Sequence, residues 1–206
     1  MILETVSVGP MGVNCYILAL KENTKAIIID PGDQARKINQ VLEKYSLKPE
    51  FIINTHGHYD HIGADDKFDV PVYIHKKDSD FLKDAKLNLS AFFSVSYNVK
   101  SQVRYLEDNE IIKLEEIELK VLHIPGHTPG GVAMQMLKPA ERIVFTGDTL
   151  FCQGIGRSDL EGGNEQLLVK SIKEKLLNLS DDTVIYPGHG PSSTIGEEKR
   201  NNPFLS

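Results

Sequence analysis

Apolar positions in the first part of the chain come in short runs, at residues 2–8, 13–20, 26–30, 51–55 and 70–74. They are rich in Ile and Val and bounded by Gly, Asn and charged residues, a pattern that predicts strands. Between them the residues 34–45 and 76–85 carry apolar positions at helical spacing. The first half is therefore expected to be a sheet with helices laid on it. A second series repeats the layout, with strands at 111–113, 117–124, 132–137, 142–146 and 183–186 and a helix over 164–177. Asn164 is a good N-cap for that helix, and Leu168, Ile172, Leu176 and Leu179 recur on one face to form a buried stripe. Thr194 and Glu197 have capping-box spacing and start a last short helix that stops before Pro203. The stretch between Lys86 and Arg104 holds Phe92, Phe93 and Tyr97 without a period; it reads as a surface excursion, a pocket wall or a lid.

No Pro/Gly/Ser-rich linker interrupts residues 1–206, so one domain is expected. No apolar segment approaches the roughly 18 residues that cross a bilayer, and the N-terminal residues lack a signal pattern, which reads as a cytoplasmic protein without membrane contact. The two cysteines, Cys15 and Cys152, are too few for a disulfide framework or a cysteine zinc site. A net charge of −6, with basic residues only in short runs, moves the expectation away from nucleic acid and toward a small-molecule substrate.

Five of the seven histidines stand in glycine-flanked, turn-like contexts after expected strands. In Thr55-His56-Gly57-His58-Tyr59-Asp60-His61 the apolar strand ends and four potential ligands follow within one loop. Imidazole nitrogens and carboxylate oxygens together suit zinc, and also iron or manganese. If the loop begins extended, His56 and His58 point the same way and chelate one ion, while Asp60 and His61 turn toward a neighbouring position. Four ligands so close favour two ions, and His127 in PGHTPG, Asp148 in TGDT and His189 in YPGHG are the available suppliers of the remaining ligands. Glycine beside each is expected to allow positive φ and close backbone approach.

The ordered set HxHxDH, His, Asp, His, in TGD and YPGHG contexts, resembles the metallo-β-lactamase superfamily, and within it the glyoxalase II-like hydrolases. The similarity spans the chain from the early Asn-Cys-Tyr strand through Asp30-Pro31-Gly32 to the last helix. It implies an αββα sandwich of two mixed sheets flanked by helices. It also implies that His56, His58 and His127 hold one metal, that Asp60, His61 and His189 hold a second, and that Asp148 bridges them. Two divalent ions in such a site activate a water and polarise a carbonyl, and two carboxylates offset only part of their charge, which favours an anionic substrate. Asp60 is placed to orient the resulting hydroxide. With no strong general acid beside the cluster apart from Tyr59 and Tyr186, the reading favours a leaving group such as a thiolate, hence a hydroxyacyl thioester of glutathione or a related thiol.

Outside the ligand set, Arg157 either clamps a substrate carboxylate or pairs with Asp159. Tyr59 either lines the pocket or packs outward, and Asp30 either orients a ligand or shapes a turn. His75 and His123 are read as structural. Two further reactions occur in related enzymes. Persulfide oxidation uses one iron, for which His56, His127 and Asp148 would serve; RNA processing of the tRNase Z kind uses the same ligands with RNA-grasping insertions not evident here.

Overall fold

The computed structural model describes residues 1–205. The first sheet has the order β1 (Ile2–Val8), β2 (Val13–Ala19), β3 (Lys25–Ile29), β4 (Lys48–Ile53), β5 (Val72–His75), β6 (Val103–Leu106). Its β1–β2 and β2–β3 pairs are antiparallel and the rest parallel. Parallel neighbours need a crossover, and α1 (Ala35–Lys44) supplies the one between β3 and β4.

The second sheet is built from β7 (Ile111–Leu114), β8 (Ile117–His123), β9 (Val132–Lys138), β10 (Ile143–Gly147), β13 (Val184–Pro187) and β14 (Ser193–Thr194), with β14 and β7 at its edges. A two-stranded ribbon, β11 (Leu150–Phe151) with β12 (Gly154–Ile155), lies between β10 and β13 in sequence. Only β10 and β13 pair in parallel within this sheet. The two halves thus share a layout of sheet plus outer helix without sharing strand directions.

Side chains alternate across each strand, so both sheets are apolar on two faces. Ile27, Ile29 and Phe51 meet Leu119, Met134 and Phe145 between the sheets. Ala26, Ile28 and Ile52 face outward onto Ile38 and Leu42 of α1. On the other side Val144 and Ile185 lie under Leu168, Ile172 and Leu176. The result is the expected sandwich of two mixed sheets between helical layers.

The helix at 164–177 is helical throughout but not uniform: α3 (Glu165–Ser171) runs into a π-helical turn at Ile172–Leu176. Asn164 caps it as expected, its Oδ1 accepting from Leu167 N at 2.9 Å, whereas Leu179 lies past the helix and is only partly buried. In α4 (Ile195–Asn201) Thr194 accepts from Glu197 N. Half of the expected box is absent, because the Glu197 carboxylate turns to Asn201 Nδ2 instead.

The helix expected over 76–85 does not form. Only a 3-10 turn, Lys76–Asp78, is present. The backbone closes into short turns instead, Ser79 N donating to Lys76 O, Phe81 N to Asp78 O and Lys83 N to Asp80 O, while the Asp84 side chain takes Lys86 N and the Asp78 side chain turns away to Gly57 N and Gly130 N. The end of the segment taken as irregular belongs to the first sheet, as β6.

Candidate metal centre

All seven expected ligands gather at one end of the sandwich, where β4, β8, β10 and β13 stop. Beyond β4 the chain passes His56 and His58 and enters α2 (Tyr59–Ile62), a single turn that carries Asp60 and His61. The loops after β8, β10 and β13 bring His127, Asp148 and His189. Their donor atoms form three groups, each with its atoms within 4.8 Å of one another: His56, His58 and His127; Asp60, His61 and His189; and His56, His61 and Asp148. The first two coincide with the two triads expected from the family resemblance. Asp148 touches both, with Oδ1 at 3.3 Å from His61 Nε2 and Oδ2 at 3.8 Å from His127 Nε2 and 3.6 Å from His189 Nε2.

Hydrogen-bond partners on the far side of each ring decide which nitrogen is presented to the centre. Thr55 Oγ1 gives its proton to Asp30 Oδ2 at 2.7 Å, so it can only accept from His56 Nδ1 at 3.2 Å. His61 Nδ1 donates to Asp30 Oδ2 at 3.0 Å, His127 Nδ1 to the Arg157 carbonyl at 2.7 Å, and His189 Nδ1 to the Met11 carbonyl at 3.1 Å. Four histidines therefore turn Nε2 inward, the atom that carries the lone pair when the ring is neutral. His58 points Nδ1 to the same region, 3.0 Å from His127 Nε2.

Two unprotonated nitrogens, His56 Nε2 and His127 Nε2, face each other 3.2 Å apart. Lone pairs so close repel unless positive charge lies between them. His61 Nε2 and Asp148 Oδ1 lie 3.3 Å apart without hydrogen-bond geometry and, both buried, have no other partner, which is costly for a finished interior. Both observations fit a cation cradle, and the mixed N/O donor set suits a divalent transition metal.

Electrostatics agree for the first triad and differ for the second, where burial lowers His61 and His189 but the facing carboxylates of Asp60 and Asp148 outweigh it and raise both. Burial, reinforced by neighbouring rings, pushes His56 well below its ordinary value and His58 down to about 3, and burial also lowers His127; all three are neutral and free to donate a lone pair. Burial alone would raise Asp148, but His61, His127 and His189 outweigh it and hold the group ionised. Asp60 is lowered in the same way, with His61 the strongest opponent of its burial.

Glycine acts here by two routes. Gly147 has φ +49° and lies against Thr55, so a side chain would be both strained and blocked. Beside His189 the positive φ belongs to Gly190, at +75°, and Gly188 lacks it. A Cβ there would sit 2.3 Å from Asp148 Oδ1 and 2.7 Å from His61 Cε1, so its role is close approach alone.

Asp30 is buried and orients Thr55 and His61 at once, its Oδ1 also accepting from Thr55 N at 2.7 Å. Tyr59 faces the mouth of the site, its ring 5.9 Å from Phe93 and 5.3 Å from Tyr97. The Lys86 to Arg104 excursion is thus a pocket wall. It is tied to the ligand loop by Tyr59 N donating to the Asn88 carbonyl, while Asn88 Nδ2 holds the carbonyls of Phe81 and Tyr97. Arg157 makes the internal pair: Nε and Nη2 bind the two oxygens of Asp159 at 2.9 and 2.8 Å. His75 and His123 stand apart, stacked on each other at 4.0 Å.

Sequence reasoning missed three residues that shape the centre. Asp78 accepts from Gly57 N between two ligands, and from Thr128 Oγ1 and Gly130 N beside His127. Asn14 and Tyr16 reach across from the first sheet. Asn14 Nδ2 donates to the carbonyls of Pro187 and Gly190, and Tyr16 OH to that of Pro187, which fixes the turn carrying His189. Asn14 and Tyr16 stand in the Asn-Cys-Tyr strand that marks the family resemblance, but with no role attached to them, and an Asp in a charged segment gives no period or motif that would single it out.

Comparison with known proteins points the same way. A family model described as the metallo-beta-lactamase superfamily matches residues 8–189. The probable metallo-hydrolase YqgX of Bacillus subtilis is 40% identical over 204 residues, covering 97% of this chain and 95% of that protein. The hydroxyacylglutathione hydrolase GloC of Haemophilus influenzae is 36% identical over 211 residues, covering 99% and 98%. The crystal structure of the BLEG-1 B3 metallo-beta-lactamase superposes with a TM-score of 0.91 at 38% identity, covering all of both chains. With the fold, the ligand-bearing loops and the family match in agreement, the chain belongs to the metallo-beta-lactamase superfamily.

Proposed function

We propose that the protein is a glyoxalase II-like thioesterase, a two-metal hydrolase that cleaves small acyl thioesters. The observation that carries the reading is the pair of three-residue clusters joined through Asp148, with ring lone pairs turned inward. His56, His58 and His127 would hold one divalent ion and Asp60, His61 and His189 the other, with zinc preferred for the N/O set and iron or manganese chemically suitable. When bound, such a pair supplies an acidified water and polarises the acyl carbonyl.

The protein's own residues do the rest. Asp60 lies at the boundary between the cluster and the pockets, with Oδ2 3.3 Å from His189 Nε2. From there it accepts a hydrogen bond from the attacking water and aims it outward. Asp30, Thr55 and the carbonyls of Met11 and Arg157 keep the rings in the lone-pair-inward tautomer. Among the described residues, no lysine or uncommitted arginine lines the mouth to protonate a departing amine. A thiolate, with a conjugate-acid pKa of about 8.5, leaves without that help. GloC, a hydroxyacylglutathione hydrolase over nearly the whole chain length, supports the same reaction class.

The test is hydrolysis of S-D-lactoylglutathione and simpler thioesters by metal-quantified protein, with Asp148→Ala as control. Two metals per chain and turnover lost in the variant are expected. One iron per chain with oxygen uptake on a persulfide would overturn the hydrolytic reading.

A further inference from the structure

Two cavities open beside the candidate metal centre, of about 210 and 270 Å³, and Met11, Tyr59, Asp60 and Phe93 line both. The smaller continues past Val8 and Val95, and its charged lining groups are the acids Asp33 and Asp60. The larger contains one cation, Arg157, whose Nε/Nη2 edge is already paired to the two carboxylate oxygens of Asp159. Around this mouth stand Met11, Phe92, Phe93 and Val95, four of the nine exposed large apolar side chains among the described residues, Phe92 at 81% exposure. Such a concentration at the rim of a reactive centre marks a surface that binds apolar groups. Its aromatic wall is held in register with the ligand loop through Tyr59 and Asn88.

We propose that this groove takes an apolar arm of the substrate: an acyl thioester whose acyl chain is alkyl or aryl, in preference to one that depends on an anionic peptide carrier for binding. The proposal rests on the thioesterase reading for its chemistry. Water oxygen bonds to the acyl carbon, the C–S bond breaks with its electron pair leaving on sulfur, and the water's protons go to the thiolate and to solvent. The products are a carboxylate and a thiol. Binding of the arm needs only the groove.

The test compares acetyl and hexanoyl thioesters of one neutral thiol, N-acetylcysteamine, on metal-loaded protein. In parallel, calorimetry measures binding of the unreactive ethyl and hexyl thioethers of the same thiol. Expected are a kcat/KM about tenfold higher for the hexanoyl thioester, carried by KM, and hexyl binding about tenfold tighter than ethyl. Phe93→Ala, an exposed position that does not threaten the fold, removes both differences; Phe204→Ala, exposed in the turn after α4 and beside α3, retains them. If no thioester is hydrolysed while the thioether difference persists and depends on Phe93, the thioesterase reading falls and the groove stands. If thioesters turn over without chain-length preference and the thioethers bind alike, the groove proposal is overturned.

Discussion

Asp78 shows how much one buried carboxylate does for the ligand loops. Its oxygens hold Gly57 N, Thr128 Oγ1 and Gly130 N at 3.0, 2.7 and 2.5 Å. Burial pushes its pKa up to about 6 against those three donors, which pull the other way. Asp78→Asn puts an amide N–H against a donor. It is expected to cost about 1–3 kcal/mol of stability and to weaken metal binding about tenfold, read by urea denaturation and chelator competition. Asp65 shifts in the same direction with fewer donors. It too is buried, and burial raises it well above the carboxylate range, against a single hydrogen bond from Asn54. The folded state therefore binds more protons than the unfolded chain once pH exceeds about 3.9, and stability falls as pH rises from there toward the raised folded-state pKa. Asp65→Asn keeps the acceptor and removes the titration. Its stability relative to wild type should grow between pH 4.5 and 7.5, and a constant difference across that range would reject the assignment.

At the level of elements, the centre works because four loops stop within a few ångströms of one another, and glycines set how near they come. Gly188→Ala places a methyl group against Asp148 and His61. The sandwich should survive this change while metal affinity falls at least tenfold in a competition titration. Phe145 of β10, fully buried between Tyr16 and Tyr186 at 5.0 and 5.5 Å, is the converse case. Phe145→Ala should cost about 3–5 kcal/mol in chemical denaturation. The strands and α1 were legible because their apolar runs have a clear period, and the ligands because His56 to His61 crowd chemistry into one loop. What escaped had physical reasons. The 76–85 segment has a helical spacing of apolar residues, but its backbone closes into separate short turns, and the Asp78 side chain is drawn to Gly57 N and Gly130 N on neighbouring loops. The strands β11, β12 and β14 are two residues each, too short for any alternation to register. Arg157 offered two readings that only geometry separates, and the pair with Asp159 is the one formed.

For the whole molecule, the two sheets contribute different halves of the centre. His56, His58, Asp60 and His61 follow the first sheet, and His127, Asp148 and His189 follow the second. An ion held by both is a cross-link that the unfolded chain lacks, so removing it must lower stability as well as activity. At free metal a hundredfold above Kd, linkage contributes about 2.7 kcal/mol per ion. In a chain of this size, loss of both ions corresponds to a thermal midpoint about 10–20 °C lower after exhaustive chelation. Calorimetry of chelated and reloaded protein checks this, and unchanged midpoints would mean the sheets hold the loops in place unaided.

The contact of Asn14 with the turn around His189 joins positions 176 residues apart in sequence between Asn14 and Gly190. Joining them closes a loop of nearly the entire chain, the kind of event that folding reaches late. The cluster of Asp60, His61 and His189 therefore cannot mature with the first sheet, although two of its three members lie there. In a refolding experiment, metal capture should lag the appearance of sheet structure, and Asn14→Ala should lengthen that lag.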